Sequence, residues 1–386
     1  MITQRLTFSD LGDIFDGPHA TPKRQTEGPY FLNIASLDDG RLDLTQSDHL
    51  SREDFERWTK RVTPQEGDLL FSYETRLGDA ALMPAGIEAC LGRRMALLRP
   101  NRELADSRFL LYFYLGPAVR QIIDRHTIHG ATVNRIGLST MGSWPVDVPA
   151  LPEQRAVAEV LGALDDKITT NVALVRTSDE LAGALTRFSI DSAETVTLSE
   201  VALITMGSSP PGASYNELGD GTVFYQGVRD FGVRYPRNRV WTTMPVRLAQ
   251  RLDCLVSVRA PVGELNLAGE YTCIGRGLAS VRSTATGPMS LFHLLKDSPQ
   301  VWAPYEAEGT VFGSINKLQL ASLRVPTVRA ERRAELEHEL SALELRIAAA
   351  LEESDQLAAA RDALLPQLMS GTLRVQDAEK TLEEVL

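Results

Sequence analysis

The sequence has few cysteines and no long apolar run. Its 386 residues include three cysteines, Cys90, Cys254 and Cys273, and none belongs to a Cys-x-x-Cys motif. Such a sparse, odd set does not suit a disulfide framework. The chain has no run of about 18 apolar residues, and its first residues lack the apolar core of a signal peptide. The sequence therefore predicts a cytoplasmic protein with no membrane span.

The chain also lacks the positive net charge that is typical of nucleic-acid-binding domains. Its formal net charge is −11. Most of this excess lies in residues 151–196, with 4 basic and 8 acidic side chains, and in residues 329–386, with 7 and 13. The other segments are close to neutral and rich in arginine. The total charge does not favour DNA binding, whereas its distribution is compatible with it.

Signatures of common enzymes are missing as well. The chain has no phosphate-binding Gly-x-x-x-x-Gly-Lys-Ser/Thr loop, no Asn/Asp-Pro-Pro-Tyr/Phe motif and no Gly-x-Ser-x-Gly nucleophile motif. His126 and His129 form the only close histidine pair, and we interpret them as surface or turn residues because no further ligands lie nearby. We predict no catalytic residue, no metal site and no cofactor bound by this chain.

What the sequence does contain is an internal repeat of about 180 residues. The matched positions keep their order while their offset falls slowly, as expected for two diverged copies with small loop deletions. We interpret the repeated cysteine as a small buried residue. The matches are Phe8-Ser9-Asp10-Leu11 with Leu198-Ser199-Glu200-Val201; Asp68, Ser72 and Gly78 with Asp253, Ser257 and Gly263; Cys90-Leu91-Gly92-Arg93 with Cys273-Ile274-Gly275-Arg276; Arg99 with Arg282; Asn134-Arg135-Ile136 with Asn316-Lys317-Leu318; and Val148-Pro149 with Val325-Pro326.

Each copy begins with a part that favours β-structure. Short apolar or β-branched runs, bounded by glycine, proline and aspartate, predict strands. Less punctuated stretches later in each copy predict helices. The predicted strands are 69–71, 96–98, 255–258 and 278–281, and the predicted helical stretches are 104–126 and 289–305.

Each copy is followed by a long heptad pattern. Apolar residues alternate in steps of four and three, which is the seam of a coiled coil. Each predicted helix has roughly 35 residues and is about 50 Å long. Asn171, Ser178 and Arg361 interrupt the seams and could set register, orientation or an outside contact. The seam residues are Val157, Leu161, Leu164, Ile168, Val175 and Leu185 in the first helix, and Leu336, Leu340, Leu343, Ile347, Leu357, Leu364 and Leu368 in the second.

So narrow a seam needs a partner, and the simplest partner is the other helix of the same chain. The alternative is two helices in unrelated cores. The predicted fold class is α+β, with two tandem α/β modules of mixed, β-rich character separated by two long helices and related by a pseudo-two-fold. Modules held apart in this way suit a duplex contacted at two places about one helical turn, or ~34 Å, apart.

Several short motifs resemble those of a known family. The second copy carries the stronger resemblance, and the first departs at Tyr73-Glu74-Thr75-Arg76. The motifs are Gly207-Ser208-Ser209-Pro210-Pro211, Phe224-Tyr225-Gln226-Gly227, Ser257-Val258-Arg259-Ala260-Pro261-Val262-Gly263, Cys273-Ile274-Gly275-Arg276-Gly277, Leu151-Pro152-Glu153-Gln154-Arg155, Leu364-Leu365-Pro366-Gln367-Leu368-Met369-Ser370-Gly371 and, in the first copy, Gly67-Asp68-Leu69-Leu70-Phe71-Ser72.

These motifs resemble those of the specificity subunits of type I restriction-modification systems, and the resemblance implies a non-catalytic subunit of an adenine-N6 DNA methyltransferase or type I restriction enzyme. Two target-recognition domains would each recognise one half of a bipartite asymmetric site in double-stranded DNA. The helices would pair antiparallel as a coiled coil, set the spacer and dock two methyltransferase subunits, which bind S-adenosylmethionine. A motor-nuclease subunit is a further partner where DNA is cleaved. The implied domains are 1–150 and 191–328 for target recognition, 151–190 and 329–370 for the helices, and a tail at 371–386.

Residue type and loop position predict the candidate DNA contacts. Arginine and lysine suit guanine and phosphate, and asparagine and glutamine suit adenine. Because Gly-Arg recurs in both copies at 92–93 and 275–276, we interpret it as structural or phosphate-binding. The candidates are Lys23, Arg24, Asn33, Tyr73, Arg76, Asn134 and Arg135 in the first copy, and Gln226, Arg229, Arg234, Arg237, Arg239, Arg259, Asn266 and Lys317 in the second.

Two other functions are open from the residues alone. A nuclease would use paired carboxylates such as Asp38-Asp39 or Asp165-Asp166 to hold a metal ion. A coiled-coil scaffold would use its globular parts to bind protein.

Overall fold

A computed structural model describes residues 3–18, 21–130, 132–305 and 313–385. The chain forms two compact units. Unit 1 comprises Met1–Thr169 and Asp355–Leu386, and unit 2 comprises Thr170–Ser354. Each unit therefore contains one module and one half of each long helix.

The first module is built mainly from short strands. Its helices are short except for the consecutive pair α3 and α4, which lie in the stretch predicted to be helical. The elements are β1 (Thr3–Thr7), α1 (Phe8–Leu11), β2 (Gly12–Asp16), β3 (Gln25–Leu32), β4 (Leu37–Asp38), β5 (Arg41–Leu42), β6 (Asp48–His49), α2 (Arg52–Trp58), β7 (Leu69–Ser72), β8 (Ala80–Leu82), β9 (Ala89–Leu91), β10 (Met95–Pro100), α3 (Ser107–Leu115), α4 (Pro117–His126), β11 (Thr127–Ile128), β12 (Arg135–Ile136), α5 (Leu138–Met141) and β13 (Pro145–Pro149).

The second module follows the long helix α6 (Leu151–Ser189) and precedes the long helix α10 (Arg333–Ser370). The helix predicted over 289–305 ends at Lys296 and is followed by two 3-10 turns. The elements are β14 (Ile190–Thr197), α7 (Leu198–Val201), β15 (Ala202–Met206), β16 (Tyr215–Asn216), β17 (Thr222–Tyr225), β18 (Trp241–Thr242), β19 (Leu248–Ala249), β20 (Cys254–Ser257), β21 (Leu265–Leu267), β22 (Thr272–Ile274), β23 (Leu278–Ser283), α8 (Pro288–Lys296), α9 (Lys317–Ser322) and β24 (Arg324–Val328).

The two modules share one strand topology. The antiparallel order β2-β10-β7-β8 in the first is repeated as β15-β23-β20-β21 in the second. Each module also has a parallel pair in another sheet, β3 with β9 and β17 with β22. The first and last strands of each module pair with each other, β1 with β13 and β14 with β24. The internal repeat seen in the sequence is therefore a repeat of the fold.

The matched aspartate and arginine form the same ion pair in both modules. Arg99 donates from Nε and Nη2 to the carboxylate of Asp68 over 3.0 and 2.7 Å. Arg282 donates to Asp253 over 2.7 and 2.9 Å. Both aspartates are buried, and a bidentate pair compensates for removing the charge from water. These residues recur because they stabilise the central sheet.

Hydrogen bonds correct one of the sequence matches. The backbone N–H of Ile136 donates to Tyr73 O over 2.8 Å, and that of Ile315 donates to Val258 O over 3.2 Å. Tyr73 and Val258 occupy equivalent positions, 185 residues apart. Ile315, and not Leu318, is thus the counterpart of Ile136. Asn316-Lys317-Leu318 resembles Asn134-Arg135-Ile136 more closely than Gly313-Ser314-Ile315 does, so sequence comparison alone selects the wrong string.

Strand register also corrects the last of the sequence matches, that of Val148 with Val325. Val146 pairs with Leu6 in the first module, and Val325 pairs with Val196 in the second. Val325 therefore corresponds to Val146 and not to Val148. The offset of 179 that results is the same as the offset between the two heptad seams.

The end of the chain is helical. The second long helix ends at Ser370 and is followed by Gly371, whose φ of +71° is the left-handed conformation that glycine adopts at low cost after a helix. A further helix, α11 (Val375–Val385), follows where the sequence predicted only a tail. Ala378 on this helix is fully buried in the main apolar core of unit 1. The segment is therefore part of unit 1.

Candidate DNA interface and helix seam

In unit 1, the heptad seams of the two long helices lie in one apolar core. They pack together with α3 and with the central sheet of the first module. Because this core is continuous, the first module packs directly on the helix pair. The buried seam residues are Val157, Leu161, Leu164, Ile168, Leu357, Leu364 and Leu368.

In unit 2, the order of the contacts shows that the helices run antiparallel. Asn171 Nδ2 donates to Glu353 Oε2 over 2.7 Å. One turn further along α6, Val175 packs with Ile347. Ala182 and Leu185 then lie in the same core as Leu336, Leu340 and Leu343. Positions that rise along α6 therefore meet positions that fall along α10.

A carboxylate occurs at equivalent positions of the two helices, 179 residues apart; Asp165 is partly buried and Glu344 is buried. Tyr112 donates its hydroxyl to Asp165 Oδ2 over 2.6 Å in unit 1. Tyr235 donates to Glu344 Oε1 over 2.6 Å in unit 2. Burial is the largest cause that raises the pKa of both tyrosines, and the adjacent carboxylate adds to it. Each module is thus joined to its helix through a tyrosine–carboxylate hydrogen bond.

In unit 1, Arg361 at a seam position of α10 pairs with Asp165 and with two further carboxylates. Its guanidinium lies 2.9 Å from Asp165, 2.8 Å from Asp39 and 2.8 Å from Asp362. Burial opposes the charge, but the hydrogen bonds to these carboxylates outweigh it and raise the pKa of Arg361. Arg361 therefore joins both helices to the β4–β5 turn.

In unit 2, the corresponding arginine comes from the module. Arg234 is 3% exposed, donates to Asp179 and lies 3.5 Å from Glu344. Its guanidinium also lies 4.8 Å from the ring centroid of Phe292. Lys296 adds a second ion pair to Asp179. This set is called the Arg234 network below.

Burial corrects three of the DNA candidates. Arg234 is enclosed in its network, and Asn266 is buried while it exchanges two hydrogen bonds with the backbone of Gly232. Tyr73 is also buried, and burial raises its pKa. A DNA base or phosphate cannot reach these polar groups in this conformation. Residue type and a glycine-punctuated loop do not reveal burial, which depends on what packs over the loop.

A pair of loops brings several other candidates of the first module together. Thr75 donates its N–H to Asn134 O over 3.1 Å, next to the bridge between Glu74 and Arg135. The exposed side chains of Arg76, Asn134 and Arg135 therefore belong to one continuous surface.

The second module repeats this loop pair. A bridge joins Arg259 to Ser314, and the N-cap Asn316 begins helix α9 two residues later. The exposed side chains of Arg259 and Lys317 lie on these two segments. The residues on the loop pair differ between the modules while the backbone pairing is the same.

The remaining DNA-contact candidates differ in whether their side chains bind other groups of the protein. Lys23 is exposed, and the exposed Arg24 pairs with Asp48 at 3.1 Å. Asn33 accepts from Ala35 N–H and donates to Gln46 O, so it shapes its loop. In the second module, exposed candidates in the segment between β17 and β18 are Gln226, Arg229, Arg237 and Arg239.

Close packing against neighbouring backbone explains the glycine of the recurring Gly-Arg motif. A Cβ on Gly92 would lie 1.9 Å from Leu32 O, so only glycine fits. A Cβ on Gly275 would lie 3.1 Å from the backbone of Gln226. The side chains of Arg93 and Arg276 are exposed and remain available to phosphate.

The sequence interpretation missed a basic cleft in the first module. It measures about 390 Å³ and is lined by residues from the ends of β2, α2 and β9. Its signal in the sequence was the run Arg57-Trp58-Thr59-Lys60-Arg61, in which basic side chains flank an aromatic one. We call it the Trp58 cleft.

The structure shows what surrounds one histidine of the pair, His126, and one of the cysteines, Cys90. His126 stacks on Trp144 at 4.4 Å between ring centroids. Burial raises the pKa of the Cys90 thiol to about 12, so it is protonated at neutral pH. Within the described ranges, no three His, Cys, Asp or Glu side chains are grouped to hold a metal ion.

None of the helices in the part of the chain that the structure describes combines the length and apolarity that a membrane crossing requires.

Comparison with known proteins finds similarity to one family. The sequence model described as "Type I restriction modification DNA specificity domain" matches residues 6–174. This range covers the first module, whose motifs were the weaker of the two. A protein of Methanocaldococcus jannaschii described as "Putative type I restriction enzyme MjaX specificity subunit" is 27% identical over an alignment of 405 positions, which covers 95% of this chain and 93% of that protein.

Two solved structures extend the comparison. The type I restriction-modification S subunit from M. genitalium matches with a TM-score of 0.62 and 16% identity, over 95% of this chain and 96% of that one. This likeness shows a shared fold. The HsdS subunit from Thermoanaerobacter tengcongensis matches with a TM-score of 0.37 and 22% identity, over 96% and 97% of the two chains.

Proposed function

We propose that the chain is one of the specificity subunits of type I restriction-modification systems, which recognise DNA sequence, and that it does so in the following way. Each module contacts one half of a bipartite, asymmetric site in double-stranded DNA. The paired helices set the spacing between the halves. The chain itself carries out no chemistry.

One observation carries this proposal: the modules have the same strand order but different residues on the same loop pair. Arg76, Asn134 and Arg135 occupy the loops of the first module, whereas Arg259 and Lys317 occupy those of the second. A conserved frame positions the loops, and side-chain type decides which bases accept hydrogen bonds. Two such surfaces in one chain suit two different half-sites.

The long helices support the proposed assembly with two methyltransferase subunits. Val172, Leu181 and Leu345 are large apolar side chains that are about half exposed or more on helices whose seams are already filled. Exposed apolar side chains on such a surface suit a protein partner. In this proposal the methyltransferase subunits bind S-adenosylmethionine and methylate adenine N6. A motor-nuclease subunit joins them where DNA is cleaved, and the complex acts in the cytoplasm, where the DNA is.

Contacts of the paired aspartates weaken the nuclease alternative. Asp165 is engaged by Tyr112 and Arg361, and Asp166 pairs with Arg108. Asp39 also binds Arg361. Magnesium-dependent cleavage of DNA by the purified chain would support a nuclease, and failure to bind DNA with its methyltransferase partner would support a protein-binding scaffold.

Methylation mapping tests the proposed function directly. We expect sequencing of the host genome to show methylated adenines in one bipartite motif, with a spacer of constant length. Deleting the gene for this chain should remove methylation at that motif and leave other motifs unchanged. Methylation that persists in the deletion strain would contradict the proposal.

Exchange of one module should change one half of the site. We expect replacement of residues 190–328 with those of another family member to alter one half-site and keep the other, because the joints lie at the paired strands β14 and β24. The motif is measured by methylation mapping. The matched control exchanges residues 3–149 and should alter the opposite half. A change in both halves, or in neither, would contradict separate recognition by the modules.

A further inference from the structure

The Trp58 cleft has the donor chemistry of an anion site. Arg57, Trp58, Lys60 and Arg61 line it, and their polar groups are all hydrogen-bond donors. The acidic side chain in its wall is Asp16, which is paired with Arg61. The ligand that suits this lining is an acceptor-rich anion.

The indole of Trp58 provides an independent observation. Its Nε1 is buried and has no hydrogen-bond partner among the described residues. An unsatisfied buried donor costs free energy, which an incoming acceptor would recover. The ring itself packs against the small apolar cluster of Phe31, Leu50 and Cys90. The position of the donor is therefore set by the core before any ligand arrives.

The cleft adjoins the loop pair proposed to contact DNA. Gly17 in its wall donates its N–H to Met95 O over 2.8 Å, and Tyr73 donates to Arg94 O over 3.1 Å. Arg94 also pairs with Glu74 at 3.0 Å. The wall of the cleft and the loop that carries Arg76 are thus hydrogen-bonded to the adjacent residues Arg94 and Met95. Both therefore lie at the same end of the central sheet of the first module.

We propose that the Trp58 cleft binds a phosphate of the DNA backbone beside the half-site recognised by the first module. Because Trp58 Nε1 is buried, neighbouring side chains of the cleft move aside when it donates to a phosphate oxygen, and Arg57 and Lys60 supply the compensating charge. The contact carries no base information and orients the module on the duplex. This inference rests on the proposed function of the chain.

The test uses the complete complex of this chain with its methyltransferase subunits. The probes are a labelled duplex that contains the motif mapped in the host genome and a duplex of the same composition in scrambled order. We expect Trp58→Phe, which keeps an aromatic ring and removes the donor, to weaken binding roughly 5- to 10-fold on both duplexes. Arg57→Ala/Lys60→Ala should weaken binding roughly 10-fold and reduce the slope of log affinity against log salt by about 1 to 2.

A matched control removes two positive charges elsewhere in unit 1. Arg102 and Arg125 are exposed and lie outside the cleft, and Arg102→Ala/Arg125→Ala should keep wild-type affinity and salt slope. Melting temperature and assembly with the methyltransferase subunits are measured for every variant. These measurements separate loss of a contact from loss of folding.

The possible results distinguish the two proposals. Wild-type affinity in both cleft variants would overturn the phosphate site and leave the proposed function intact. A loss confined to the duplex with the motif would show base recognition and would also overturn it. If the wild-type complex does not prefer its motif, the proposed function fails.

Discussion

Replacement of Leu343 and Ile347 with aspartate is expected to abolish assembly of the chain with its methyltransferase subunits. Ile347 is fully buried against Val175, and Leu343 packs on the core of unit 2. Two carboxylates in this seam would lose apolar burial and would lie in a poorly solvating environment, at a cost of roughly 5 kcal/mol or more. We expect affinity for the partner subunits to fall by more than about 100-fold, equivalent to ~3 kcal/mol.

Hydrogen exchange can show where this damage lies. Protection of backbone amides from exchange should be lost at 170–189 and 333–354. It should be retained in strands β20 (Cys254–Ser257) and β23 (Leu278–Ser283) of the second module. Leu218→Asp/Met244→Asp is a matched control, because both side chains are exposed, lie off the long helices and add the same charge. Wild-type assembly of the Leu343→Asp/Ile347→Asp variant would contradict the paired-helix mechanism.

The second large effect is expected from Arg234→Ala. Removal of this buried guanidinium leaves Asp179 and Glu344 without their shared cation and removes the contact with Phe292. Breaking a buried ion pair from one side typically costs about 3–5 kcal/mol. We expect a loss of this size in the free energy of unfolding of unit 2, measured by denaturant titration. The exposed Arg237→Ala, in the same loop, should change it by less than about 0.5 kcal/mol.

The effect of Arg234→Ala should depend on pH. Burial raises the pKa of Asp179, but Lys296 and Arg234 outweigh it and hold that pKa below its ordinary value. A carboxylate with a lowered folded-state pKa adds stability above its unfolded pKa, about 3.9, and this stability is lost as pH falls through the folded pKa. The difference between wild type and variant should therefore be full at pH 7 and shrink below about pH 4. A difference that is independent of pH would contradict the ionic role of the network.

Several features could be predicted because they depend on spacing along the chain. The heptad at Leu336, Leu340 and Ile347 predicted a buried face, since helix geometry places such residues on one side. Asp68 and Arg99 could be matched to Asp253 and Arg282 because the same ion pair stabilises both sheets. Local pattern and repetition were sufficient in these cases.

Other features depended on contacts between distant segments. Arg234 and Asn266 were predicted to face DNA because they are polar residues in loops, yet packing buries both. The unpartnered donor of Trp58 was also invisible, because strands from elsewhere in the module form its surroundings. No periodicity within the loops reports such contacts.

The sequence by itself determined the two-copy organisation, the paired seams and the resemblance to a family, because heptads, repeats and motifs are properties of spacing and residue type. Tertiary structure decided which polar side chains are buried, which strands are equivalent near Ile136 and Val146, and where the donors of the Trp58 cleft meet. These outcomes follow from burial and hydrogen bonding between segments far apart in the chain, which the order of residues specifies only through the complete fold.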